Sequence, residues 1–169
     1  MSVWMERIRF GELWSELGNA DLILVTANGV VDGRGRLIMG AGAAKQARDR
    51  FPGLDKWAGQ GLRPLREFDK VIYGLMLSPF YSGKTQIGLF QVKYHWKQPA
   101  SLSLMRVSAL RLKRWDRSYG RIVMNAPGVG LGGLAIYRVL PMLTILPRNV
   151  ILYFHPSQEA ECRTLLNGS

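Results

Sequence analysis

Twice in this chain an apolar run leaves what reads as a strand and passes straight into a glycine-spaced turn, and this recurrence limits the fold more than any other feature. The first run, Asp21-Leu22-Ile23-Leu24-Val25, continues through Thr26-Ala27-Asn28-Gly29-Val30-Val31 to Leu37-Ile38-Met39-Gly40-Ala41-Gly42-Ala43-Ala44-Lys45, an Ala-rich segment that reads as a helix. The second, Ile122-Val123-Met124-Asn125-Ala126, runs through Pro127 into Gly128-Val129-Gly130-Leu131-Gly132-Gly133. Glycines let the backbone approach a ligand, and unpaired N–H groups at a helix N-terminus attract an anion. One such turn is a weak signal; two predict loops that embrace a single phosphate or diphosphate.

The rest of the chain alternates in the same way. Strands are predicted at residues 23–27, 71–77, 87–93, 121–126 and 150–154, with a first strand near 7–10. Their β-branched and aromatic content, with few charges in the middle, suits strands covered on both faces. Helices are predicted from Ala43 to Arg50, stopped by Phe51-Pro52-Gly53, and from Ser101 to about Trp115, with Ser101 as the N-cap. A further helix over 141–146 would carry Pro141 in its first turn, where proline is tolerated. This order predicts a three-layer α/β/α architecture around a mixed, mostly parallel sheet. Ligands of such sheets bind beyond the carboxyl ends of the strands, so Asn28, Lys93 and the loop from Pro127 are expected to converge on one cleft.

With 169 residues the chain suits one domain, and nothing in it resembles a linker, a repeat or a low-complexity tract. One cysteine, Cys162, and two histidines, His95 and His155, exclude a self-contained four-ligand zinc site and a disulfide framework. No metal or cofactor is expected. The first residues show no basic segment leading into a long apolar run, so the expectation is a soluble, cytoplasmic protein with no membrane partner. The formal charge of +11 points to phosphate-bearing partners, nucleic acid among them. The basic residues fall near the first glycine turn (Arg34, Arg36, Lys45, Arg48, Arg50) and along the later helix and its exit (Arg106, Arg111, Lys113, Arg114, Arg117). Each cluster alone is equally well read as a solvated helix face.

Gly128, Gly130 and Gly133 have the spacing of a dinucleotide-binding loop, but too little chain follows for a second half-fold, and no acidic residue stands ~20 positions later. Ser82-Gly83-Lys84-Thr85 ends like a P-loop, yet Ser78 stands where the first glycine belongs; a hairpin turn between strands is the better expectation. Lys93 closes the run Ile87-Gly88-Leu89-Phe90-Gln91-Val92. Spacing alone favours a phosphate-contacting or snorkelling lysine, with a desolvated nucleophile or base as the alternative. Asn28 is either a turn former before glycine or an amide aimed at a ribose hydroxyl. His95 and Trp96 read as packing residues at a strand exit.

Taken together these segments resemble the macrodomain, an ADP-ribose-binding fold, and within it the branch of DarG-like and TARG-like ADP-ribosyl hydrolases. The resemblance extends from about Gly11 to Phe154. Gly11-Glu12-Leu13 resembles the Gly-Asp-Leu element whose acid receives the adenine amino group, with Glu12 in place of the aspartate. Ala27-Asn28-Gly29 is similar to the strand-end asparagine that contacts the distal ribose. Met39-Gly40-Ala41-Gly42-Ala43-Ala44, with Arg50-Phe51-Pro52 at the far end, resembles the family's helix entry and exit. Pro127, Gly128, Val129, Gly130, Leu131, Gly132 and Gly133 resemble the second diphosphate-clasping loop. Lys93 occupies the position of the branch's catalytic lysine. Gly132 stands where glutamate-directed members carry an aspartate, as in the DNA-directed members, and Ala135-Ile136-Tyr137-Arg138 replaces an acidic stretch beside the cleft.

The resemblance implies a single macrodomain over residues 1–169 that binds ADP-ribose or an ADP-ribosylated target. The implied ligand-binding residues are Glu12, Asn28, Met39, Gly40, Gly42, Ala43 and the loop from Pro127 to Gly133, with Lys93 and Asn28 catalytic. Hydrolysis of the ADP-ribosyl linkage is the expected activity. A non-catalytic reader or sponge, and removal of phosphate from ADP-ribose 1″-phosphate, stay open beside it.

Overall fold

The computed structural model describes residues 3–65, 67 and 70–168. Six strands form one sheet in the order β1-β6-β5-β2-β4-β3. They are β1 (Ile8–Phe10), β2 (Leu22–Ala27), β3 (Leu75–Ser82), β4 (Thr85–Gln91), β5 (Ile122–Asn125) and β6 (Val150–Phe154). All neighbours are parallel except β3, which pairs antiparallel with β4 at the edge. The turn between β3 and β4 is Gly83-Lys84, so Ser82 to Thr85 is a hairpin and not a phosphate loop.

Side-chain alternation along β2 sorts the molecule into layers. Leu22 and Leu24 enter one core with Met105, Ala109 and Leu112 of α3 (Leu102–Leu112), Ile136 and Val139 of α4 (Ile136–Val139), and Cys162 and Leu166 of α5 (Glu159–Asn167). Ile23, Val25 and Ala27 face the other core with Ala47 of α1 (Gly42–Arg50) and Leu54, Ala58 and Leu62 of α2 (Leu54–Leu62). The three-layer α/β/α arrangement with a mixed, mostly parallel sheet is therefore as expected from the sequence.

Several boundaries differ from the sequence expectation. Residues 71–74 are not strand: the buried amide of Gln91 takes the place of a ladder, accepting from Tyr73 N (2.8 Å) and Gly74 N (3.0 Å) and donating to Val71 O (2.7 Å). Strand β3 begins only after Gly74, whose φ of 70° no strand residue adopts. Strand β4 ends at Gln91, two residues before Lys93. Residues 140–144 form a 3-10 turn with Pro141 in its first turn, in place of the helix expected over 141–146. Helix α3 ends at Leu112, and Ser101 caps it as expected, accepting from Leu104 N. Helices α2, α4 and α5 lie outside the helices expected from the sequence. Gly59 and Gly61 depress the helix propensity of α2, but a Cβ at position 59 would lie 2.0 Å from Gly35 O, so close packing against that turn requires the glycine.

Candidate functional site

Above the carboxyl ends of the parallel strands the sheet opens. The β2–β4 pairing continues to Ala27 opposite Gln91, whereas the β2–β5 pairing stops at Leu24 opposite Met124. Beyond that point the Asn125 amide spans the gap, accepting from Thr26 N (3.0 Å) and donating to Thr26 Oγ1 (2.8 Å). A cleft of about 960 Å³ lies over this divergence, lined by the ends of β2, β4, β5 and β6, the entry of α1 and the second glycine loop. That is the size of a small-molecule site, in the place where open α/β sheets hold ligands.

Each wall of the cleft presents backbone donors. Helix α1 starts behind Ala41, whose side chain makes no capping bond, and its first turn has no acidic residue. The N–H groups of Gly42, Ala43 and Ala44 are thus left for an anion. In the opposite loop a 3-10 turn over Gly130–Gly132 leaves the N–H groups of Val129, Gly130 and Leu131 without a partner among the described residues. That loop is held from outside by Ala100 N, which donates to Gly132 O at 2.8 Å. The two walls meet: a Cβ on Gly42 would lie 3.0 Å from the Leu131 side chain, and the φ of +58° at Gly42 already excludes ordinary side chains. Pro127 and Gly133 do not line the cleft; Pro127 is buried under the loop, and Gly133 ends its turn with a φ of 75°.

Lys93 is positioned by the end of the β2–β4 ladder, where Val92 N and Lys93 N both donate to Ala27 O. Its ammonium donates to Leu131 O at 2.8 Å and reaches Trp96 O at 3.5 Å, with no carboxylate partner among the described residues. Burial without a counter-charge lowers its pKa from the ordinary lysine value. Asn28 does form a turn: its Oδ1 accepts from Val30 N and its Nδ2 donates to Ile38 O, each at 2.9 Å. Its carbonyl accepts from the buried Tyr73 hydroxyl at 2.6 Å. One N–H of the amide is left for a ligand. Met39 lines the cleft while only 2% exposed, so it also belongs to the core beneath.

Glu12 lines the far end of the cleft, beside Phe154 and His155, and its carboxylate has no partner among the described residues. It stands by the β1–β6 edge, while Lys93 stands by β4. Strands β5 and β2 lie between, so three spacings of ~4.8 Å separate β6 from β4, about 14 Å in all. An elongated ligand with an anion in the middle fits this shape. Among the described residues no group of His, Cys, Asp and Glu is arranged to hold a metal ion, and none of their helices is long and apolar enough to cross a membrane.

Sequence reasoning did not find the remaining lining residues, among them Gln46, Asn125, Tyr153, His155 and Gln158. The only signal for Tyr153 was its place near the end of a parallel strand. Its hydroxyl donates to the buried Glu16 carboxylate, which Arg121 grips with two bonds of 3.1 and 2.6 Å; Asn19 adds a third donor at 2.6 Å. Together these donors, Arg121 foremost, hold the Glu16 carboxyl at about 2. Trp96 is not a packing residue: it is 46% exposed at the rim of the cleft, with the half-buried ring of His95 stacked on it. The basic clusters are partly spent on local pairs, Lys45 and Arg48 on Asp49 and Arg111 on the Tyr73 carbonyl.

No protein-family model matches this chain, and no curated protein matches it in sequence. Solved structures do. The Thermosipho africanus DarTG in complex with ADP-ribose superposes with a TM-score of 0.63 at 23% identity over 85% of this chain, which spans 39% of the DarTG chain. The macrodomain of Thermus aquaticus DarG gives 0.66 at 22% identity, covering 88% of this chain and 96% of that one. The Oceanobacillus iheyensis macrodomain with ADP gives 0.63 at 13% identity, covering 96% and 92%. The sheet order, the paired glycine loops over the strand ends and these superpositions agree: the chain has the macrodomain fold.

Proposed function

We propose that residues 1–169 form one macrodomain that binds ADP-ribose and hydrolyses an ADP-ribosyl linkage on a modified macromolecule, with nucleic acid as that macromolecule. The observation that carries the proposal is Lys93: a partly buried amine with no counter-charge among the described residues, hydrogen-bonded to the loop that would hold the diphosphate. ADP-ribose suits the cleft because its diphosphate would lie between two sets of unpaired N–H groups, with its adenine toward Glu12 and its distal ribose toward Asn28 and Lys93. The DarTG and Oceanobacillus structures, solved with ADP-ribose and ADP, support that choice.

The chemistry balances without a metal. The neutral Lys93 amine attacks C1″ of the distal ribose, a C–N bond forms, and the bond from C1″ to the macromolecule breaks with its electron pair. The proton lost by the amine goes to the leaving atom. Water then adds at C1″, the C–N bond breaks, and the lysine is restored with ADP-ribose as product. The net positive charge of the chain suits a polyanionic macromolecule, and a glycine rather than an acid at position 132, as in the DNA-directed members of the family it resembles, favours nucleic acid among the polyanions.

A non-catalytic reader is the second reading, and one observation favours it: most of the Asn28 amide is spent inside its own loop. Calorimetric titration with ADP-ribose, with AMP and NAD as controls, tests the shared part; absence of a preference for ADP-ribose overturns both readings. Release of ADP-ribose from modified oligonucleotide then separates enzyme from reader.

A further inference from the structure

Residues 101–121 carry six basic side chains and a single acid, Asp116. Two of the six are engaged inside the fold, Arg111 on the Tyr73 carbonyl and Arg121 on the Glu16 carboxylate. The side chains of the other four, Arg106, Lys113, Arg114 and Arg117, have no ion pair or hydrogen bond among the described residues, and Asp116 pairs with none of them. Arg106, Leu110, Lys113 and Arg114 recur at helical spacing on the solvent side of α3, with Trp115 and Arg117 just beyond its end. Among these cations Leu110 is 49% and Trp115 48% exposed, and the Trp115 ring meets no other ring and no cation among the described residues. The segment is held in place: Asn149 Nδ2 donates to Asp116 O at 3.1 Å and to Tyr119 O at 2.7 Å, and the Tyr119 hydroxyl donates to Gln86 at 2.6 Å. Those anchors stand at the amino ends of β6 and β4, so the cationic end of α3 lies at the opposite end of the sheet from the cleft, which none of its residues lines.

We propose that this face docks an acidic segment of a partner protein, one that carries apolar side chains among its carboxylates. The carboxylates pair with the guanidinium forks of Arg106, Arg114 and Arg117, and the apolar side chains cover Leu110 and Trp115. Tryptophan and arginine are the residue types that dominate the energetics of protein interfaces, and a surface fixed before binding loses little entropy on docking. Charge complementarity selects an acidic partner; Leu110 and Trp115 select a protein among the acidic ones. A phosphate backbone would satisfy the cations and leave Leu110 uncovered, and a strand whose ADP-ribosyl group sat in the cleft would have to pass along the molecule to reach the far end of α3. An anionic membrane suits a helix whose apolar and cationic faces are separate, whereas the apolar face of α3 is buried in the core and its exposed apolar residues stand among the cations.

Fluorescence anisotropy with a labelled peptide of four Glu-Glu-Leu repeats, beside a control of four Glu-Glu-Ser repeats, tests the surface without using the cleft. The leucine peptide binds about tenfold more tightly than the serine peptide, and Leu110→Ser or Trp115→Ala reduces that preference to less than about threefold. The double variant Arg114→Glu, Arg117→Glu weakens both peptides by more than about tenfold. All these positions are exposed, so the variants keep the parent's melting temperature within a few degrees and its ADP-ribose affinity. Amide NMR shifts on adding the leucine peptide fall on residues 106–117. No binding of the leucine peptide, equal affinity for the two peptides, or shifts elsewhere on the molecule overturns the proposal. Displacement of the leucine peptide by a deoxythymidine oligomer or by phosphatidylserine vesicles at lower concentration than by unlabelled peptide overturns it as well, in favour of nucleic acid or membrane. Failure of the parent protein to bind ADP-ribose removes the cleft reading alone, because the peptide result does not depend on it.

Discussion

The Lys93 ammonium donates to the main-chain carbonyl of Leu131 at 2.8 Å, tying the exit of β4 to the second glycine loop across 38 positions of sequence. The loop thereby holds the amine at the rim of the cleft.

Lys93→Ala is expected to lower release of ADP-ribose from a modified oligonucleotide by at least ~10²-fold while ADP-ribose affinity changes by no more than about threefold. Lys93→Arg is expected to fail as well, because a guanidinium stays charged and cannot act as a nucleophile. Single-turnover release measured beside calorimetry checks both. Turnover equal to the parent would remove Lys93 from the chemistry.

The pH dependence follows from the lowered pKa of Lys93. In the proposed reaction the neutral amine is the nucleophile, so the rate is expected to rise with pH through a midpoint below that of an ordinary lysine and to level off above it. Folding carries the same sign: the fold disfavours the protonated amine, so this group's contribution to stability increases as pH rises from the folded pKa toward the higher unfolded one. A rate profile that is flat up to the ordinary lysine range would contradict this.

Glu16 titrates in the opposite sense. Its folded pKa of about 2 lies below the unfolded value, so its stabilisation is complete above the unfolded pKa and is lost as pH falls through the folded one. Glu16→Gln leaves Arg121 without its partner and is expected to cost about 3 kcal/mol at neutral pH. The same variant should flatten the acid limb of the stability curve between roughly pH 4.5 and 2. Urea denaturation across that range measures both effects.

Gly42→Ala is expected to weaken ADP-ribose about tenfold with a stability loss of about 1–2 kcal/mol. The new Cβ must adopt a left-handed φ and would press on Leu131, widening the clasp. Gly40→Ala, where a Cβ meets open space and φ is not left-handed, serves as the control for stability. Equal stability of the two variants would show that the Gly42 contact is unimportant.

Local sequence carried much of the frame. Strand β6 runs over the expected residues, β2 begins one residue earlier than expected, Ser101 caps α3, and both glycine loops lie where their spacing put them. These features depend on neighbouring residues, through β-branched runs, capping hydroxyls and glycines, and such signals survive in a linear reading. Helix α2 was hidden for the converse reason. Gly59 looks like a breaker in isolation, and only its approach to Gly35 explains it.

What the linear chain by itself determined was the order of the strands, helices α1 and α3 among them, the presence of two glycine loops at strand ends, and the lysine and asparagine at the strand exits. Tertiary structure decided what those groups do. It turned the Asn28 amide inward onto Ile38 and Val30, set Gln91 as a substitute ladder for residues 71–74, and ran Tyr153 down to Glu16. It also left Trp96 at the rim rather than in the core. Each of these outcomes depends on where other segments pass, and the free energy of a polar group depends on the partner it meets after folding. Periodicity and propensity register only near neighbours, so a bond such as that between Lys93 and Leu131 leaves no trace in them.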